Sequence, residues 1–147
     1  SADVAFAEAD FAVARAQMIT SVLSYSETCA VLVRKRNADT LVAATFSAAR
    51  SALRTEVVDD PDFGVLAVEF DDILGGIDLI DRHNLNSADA SVPASFLGFV
   101  QAQPATTACL LVAADQRLLR AAQAEGLRTL NPEPTADAAV PAFLAAL

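Results

Sequence analysis

Residues 109–132 read CLLVAADQRLLRAAQAEGLRTLNP. Cys109-Leu110-Leu111-Val112 is a continuous apolar run, the form taken by a strand buried on both faces of a parallel sheet. Asp115 follows it, and Gln116 to Glu125 reads as a helix. Gly126 stands where a left-handed residue ends a helix. Leu127 to Leu130 reads as a second short strand, closed by Asn131-Pro132. Strand, helix, strand in that order predicts a parallel βαβ unit.

The rest of the chain keeps the alternation. Residues 2–16 read as an Ala-rich helix that Ser1 can cap. MITSVL, residues 18–23, is a short β-leaning run. Ser24 and Ser26 are N-cap residue types, and the helix they open ends in Arg34-Lys35-Arg36, where positive charge suits a helix C-terminus. A second helix is expected from about Asn37 to Leu53, a loop at Asp59-Asp60-Pro61-Asp62, and a strand at Val65 to Val68. Asp71 opens an amphipathic helix with Ile73, Leu74, Ile77 and Ile80 on its apolar stripe. Asn84 and Asn86 mark a turn, and Ser87 is expected to cap a helix reaching about Val100. Pro132 and Pro134 precede a small C-terminal helix. The expectation is an α/β fold with a mostly parallel sheet, in one domain over residues 1–147.

Composition bounds the function. The chain has 147 residues, 54% of them hydrophobic, and a mean hydropathy of +0.38, which excludes global disorder. Five glycines and six prolines exclude a collagen-like chain. No run approaches the roughly 18 apolar residues of a membrane span. The net charge of −9 argues on its face against a nucleic-acid partner. Its distribution argues less: residues 55–89 carry ten acids against Arg82 alone, whereas residues 15–54 carry six basic side chains against Glu27 and Asp39. Solvated helix faces and a solvated loop account for both blocks without a partner. Cys29 and Cys109 lie in apolar runs with no zinc-type spacing around them, and read as small buried hydrophobes. No basic segment leads into an apolar one at the start, so a cytoplasmic location is expected. Arginine outnumbers lysine nine to one, as in a GC-rich bacterial gene.

In parallel α/β sheets, ligands bind beyond the carboxyl ends of the strands, at the helix N-termini. Three carboxylates are expected on that rim: Glu27 in the first turn after MITSVL, Asp89 in the first turn after Ser87, and Asp115 directly after CLLVAA. Clustered carboxylates repel one another unless a cation shares them, and Mg²⁺ or Mn²⁺, hard ions that prefer oxygen, would suit. Taken singly, each acid is also explained by the helix macrodipole and by capping. His83, beside a turn, reads as a surface residue rather than a base. Phosphate-binding glycine loops and a nucleophile elbow are absent from the sequence.

At these residues the chain resembles the PIN-domain ribonucleases, in particular the small VapC-like toxins of bacterial toxin–antitoxin pairs. The resemblance is carried by MITSVLSYSE ending at Glu27, by HNLNSADASVPASFL around Asp89, and by the opening stretch with Asp115, and it spans Ser1 to Pro132. It implies a three-layer α/β/α sandwich with a mostly parallel central sheet. It also implies Glu27, Asp89 and Asp115 as metal-binding catalytic residues that hold Mg²⁺ or Mn²⁺. The implied activity is hydrolysis of RNA phosphodiesters by an attacking water, leaving a 5′-phosphate and a 3′-hydroxyl. Arg34, Arg36 and Arg117 are the candidates for substrate contact, with Lys35, Arg50, Arg54 and Arg120 beside them; helix-end charge and solubility are the better explanation for most of these. An antitoxin protein and a second copy in a homodimer are the implied partners.

Two departures stand out. The family carries Ser or Thr two residues before its last Asp, where this chain has Ala113. The family also opens with a central strand ending in Asp, followed by a helix. Neither Asp3 nor Asp10 follows a plausible strand, so that unit is expected upstream of Ser1. Without that first Asp, the competing expectation is a non-catalytic RNA- or protein-binding module. A receiver-like phosphoacceptor domain would need a Lys on a late strand, and the one Lys, Lys35, falls in an expected helix.

Overall fold

The computed structural model describes residues 18–133. The helices expected over residues 2–16 and beyond Pro134 lie outside the described residues, as does Arg15. The described chain has an α/β organisation in two compact units, residues 18–68 and 69–133.

In the first unit Ser21 ends a strand and starts a helix. Strand β1 is Met18–Ser21 and helix α1 is Val22–Asn37. The Ser21 side chain accepts a hydrogen bond from the Ser24 backbone N–H at 3.0 Å, so Ser21 is the N-cap in place of Ser24 or Ser26. The hydroxyls of Ser26 and Thr28 donate to the carbonyls of Leu23 and Ser24, one turn back. The first four residues of MITSVL are therefore strand and the last two, Val22 and Leu23, open the helix.

Arg34, Lys35 and Arg36 occupy the last turn of α1, as expected. The chain does not continue into a second helix at Asn37. Residues 38–40 are spent on the open carbonyls of α1: Ala38 N–H on Arg34, Asp39 N–H on Arg36, and both the N–H and hydroxyl of Thr40 on Lys35. Asp39 takes the left-handed conformation (φ 55°) that the cap requires. Helix α2 accordingly starts six residues later than expected and runs Ala43–Val57. The Asp59–Asp62 loop forms as read, with the Asp62 N–H on Asp60 Oδ1 at 2.8 Å. Strand β2, Phe63–Leu66, then pairs in parallel with β1, Met18 opposite Phe63 and Ser21 opposite Leu66. It lies two residues earlier than the expected strand because Gly64 must sit opposite Ile19, where a Cβ would come within 2.8 Å of Ile19 Cγ2.

The second unit begins with helix α3, Phe70–His83. Glu69 and Asp72 cap it reciprocally, each side chain accepting from the other's backbone N–H. The expected apolar stripe does not become the buried face: Ile73, Leu74 and Ile77 are exposed, and Ile80 is half-buried. The buried residues are Gly76 and Leu79. The cause is close packing against helix α4, Ser87–Ala102, since Gly76 lies where a Cβ would stand 3.4 Å from the Ala90 backbone. Backbones that close select the small-residue face, whichever face is more apolar. Leu79, Leu85, Ala90, Ala94 and Ala121 form the core there, with Ile80 and Leu97 against it.

Strand β3 (Leu111–Val112), helix α5 (Gln116–Ala124) and strand β4 (Thr129–Leu130) form the parallel βαβ unit read from the sequence, with Leu111 opposite Thr129. Each strand is two residues long, shorter than the segment expected for it. Gly126 takes φ 83° and ends α5 as expected. Leu111, Leu118 and Ala122 make a second core cluster, with Val92, Phe96, Ala113 and Leu127 packed on it. Cys29 and Cys109 are free and only partly buried. Among the described residues no helix is long and apolar enough to cross a membrane.

Candidate functional site

Asp115 is the N-cap of α5. Its Oδ1 accepts the backbone N–H groups of Arg117 at 2.7 Å and Leu118 at 3.1 Å. Those two bonds, Leu118 first, hold its carboxyl below the usual aspartate range, against a small opposing effect of burial; the Arg117 and Arg120 charges add to the lowering. The side chain is exposed, and among the described residues its Oδ2 makes no hydrogen bond. The cap therefore fixes one oxygen of an exposed carboxylate.

Asp89 stands in the first turn of α4. The N-cap is Asn86, not Ser87, because the Asn86 side chain reaches the Asp89 N–H at 2.8 Å. Asn86 then returns the contact, its Nδ2 donating to Asp89 Oδ2 at 2.7 Å. This fixes the carboxylate by its neighbour, and among the described residues no hydrogen bond reaches Oδ1. Pro93, fully buried four residues on, has no N–H to offer the Asp89 carbonyl. The Asp89 main-chain oxygen therefore lacks the usual donor four residues on.

The two aspartates belong to one unit and are related through its core. Val92 lies one turn after Asp89, Leu118 one turn after Asp115, and both pack in the cluster around Leu111. Glu27 differs from its expectation. It lies in the second turn of α1, not the first, because Ser21 starts that helix three residues early. It is exposed and belongs to the first unit. Among the described residues no three His, Cys, Asp or Glu side chains gather closely enough to hold a metal ion. The carboxylate oxygens of Asp89 and Asp115 are the hard donors that Mg²⁺ or Mn²⁺ prefers, so two members of the expected set suit such an ion chemically.

The basic candidates divide. Arg34 and Arg117 are exposed. Arg36 is engaged: its guanidinium lies 4.6 Å from the centre of the Phe46 ring, and Nε and Nη2 donate to Asn37 Oδ1. It fastens α1 to α2. Arg54 pairs with Asp59 at 3.4 Å.

Sequence reading missed two features. Asn86 was legible in principle, since a cap residue three positions before an acid is the capping-box spacing. The other is a three-residue cluster. Glu125 Oε1 accepts from Arg82 Nη1 at 2.6 Å and from His83 Nε2 at 2.7 Å. His83 is 18% exposed and structural, not a free surface side chain. No local signal links residues so far apart in sequence. Comparison with protein-family models, with curated proteins and with solved structures gives no match for this chain.

Proposed function

We propose that this chain is a metal-dependent endoribonuclease of the PIN type, a toxin of a toxin–antitoxin pair, on a three-layer α/β/α sandwich. The observation that carries the reading is the pair Asp89 and Asp115. Each sits at a helix N-terminus, each has one carboxylate oxygen that no hydrogen bond reaches among the described residues, and each stands one turn before a residue of the same apolar cluster. Mg²⁺ or Mn²⁺, when bound, supplies Lewis acidity toward a phosphoryl oxygen.

The chain's own part is to position. The α5 cap holds Asp115 ionised, and Asn86 orients Asp89. Arg117, two residues after Asp115 and exposed, would contact an RNA phosphate; Arg34 is a second candidate. An antitoxin, a second copy and a cytoplasmic setting belong to the same reading.

The test is cleavage of a labelled RNA by the full-length protein, with Mg²⁺ or Mn²⁺ and with chelator. Asp115→Asn keeps a capping oxygen and removes the charge, and Asp89→Asn does the same at α4. Activity lost in both variants, with the fold retained, supports the proposal. Unchanged activity refutes the assignment.

A second reading has one observation in its favour: Asp115 is accounted for as the N-cap of α5, its Oδ1 accepting from the Arg117 and Leu118 N–H groups. It is a binding module without catalysis. RNA binding with no cleavage in either metal would select it.

A further inference from the structure

Helix α3 leaves an apolar stripe uncovered. Phe70 is 74% exposed, Ile77 54%, Leu74 47% and Ile73 46%. They occupy positions i, i+3, i+4 and i+7, one continuous face of a helix. A single exposed Leu or Ile is unremarkable, but four contiguous ones make a patch of roughly 300–600 Å², the size that is often functional on a monomer. At 100° per residue, Asp78 and Asp71 fall along one edge of the stripe, Asp81 lies on that side within it, and all three are exposed. Ile80 continues the other edge into the core. The stripe is thus apolar with an acidic rim on one side only.

Two occupants compete on these facts. A second copy, paired antiparallel about a two-fold axis, would set the aspartate edge of one helix against the same edge of the other. Like charges would face each other along the seam. A partner helix with its own apolar face and arginine or lysine along one flank would instead set opposite charges along that edge. We infer that the Phe70–Ile73–Leu74–Ile77 face of α3 docks a basic amphipathic helix of another protein. The inference stands apart from the nuclease reading and uses neither Asp89 nor Asp115.

The experiment uses the full chain and two labelled synthetic helices. One carries Leu at i, i+3, i+4 and i+7 with Arg along one flank; its twin carries Glu there. Fluorescence anisotropy should show the Arg helix binding and its Glu twin binding about tenfold more weakly. Ile73→Ser with Ile77→Ser should weaken the Arg helix at least about tenfold; both side chains are exposed, so the fold is kept. Asp78→Lys with Asp81→Lys should reverse the preference toward the Glu helix, an outcome that damage to the fold would not produce. Equal binding of the twins, no binding of either, or no reversal would overturn the inference. A dimer in sedimentation that Ile77→Ser abolishes would assign the face to a second copy and overturn it too.

Discussion

Glu125 offers the sharpest test of how the second unit is held. It follows α5, and its Oε1 takes one bond from Arg82 and one from His83 in the last turn of α3. Its side chain is 16% exposed. The two contacts are not equal. Arg82 is 54% exposed and its ion pair is screened by water, so it adds a few tenths of a kcal/mol, on the order of 0.5 at most. His83 is 18% exposed, and a hydrogen bond to a charged acceptor in that setting adds about 1.5 kcal/mol. Glu125→Gln should therefore destabilise the unit by roughly 1–2 kcal/mol at neutral pH.

The pH dependence follows from the same contacts. The His83 bond, first, and then the Arg82 bond and charge hold the Glu125 carboxyl below its ordinary value of 4.5, against burial, which raises it. A carboxyl lowered on folding stabilises the fold fully above its unfolded pKa. That stabilisation is lost as pH falls through the lowered folded value. The gap between wild type and Glu125→Gln should thus close progressively as pH falls below about 4.5. Urea titrations followed by circular dichroism from pH 7 to pH 3 measure it. A cycle with His83→Ala should recover most of the coupling, and one with Arg82→Ala little. A gap that persists unchanged at the acid end, or a coupling dominated by Arg82, would refute the reasoning.

Other outcomes follow from the same structure. Asp115→Ala removes the α5 cap and should cost about 1 kcal/mol, whereas Asp115→Asn should cost a few tenths; thermal unfolding separates them by a few degrees. The glycines should respond with opposite signs: Gly126→Ala loses about 1 kcal/mol because φ is 83° there, while Gly75→Ala gains about 0.5–1 kcal/mol, being mid-helix with open space where a Cβ would go. Denaturant midpoints measure both. Asn86→Ala should weaken α4 by about 1 kcal/mol and, if Asp89 binds metal, reduce Mn²⁺ affinity measured by titration calorimetry.

The α5 unit was legible because its determinants are local. An apolar run, a capping aspartate and a left-handed glycine act within a few residues of themselves, and no distant contact changes their meaning. The same holds for the Asp59–Asp62 turn and for the basic end of α1. The start of α1 was misread between equally good caps: Ser21, Ser24 and Ser26 are all competent, and only the geometry leaving β1 selects the first. That choice moved Glu27 out of the first turn.

Sequence by itself determined the alternation of helices and short parallel strands and the capping role of Asp115, because hydrogen bonds within a few residues decide these. Tertiary structure alone decided which face of α3 is buried, that Glu125 binds Arg82 and His83, and that Asp89 and Asp115 share one unit while Glu27 belongs to the other. Periodicity names the apolar face of a helix, but the partner's shape chooses the buried one. Gly76 against Ala90 permits a backbone approach that the larger residues of the stripe would prevent.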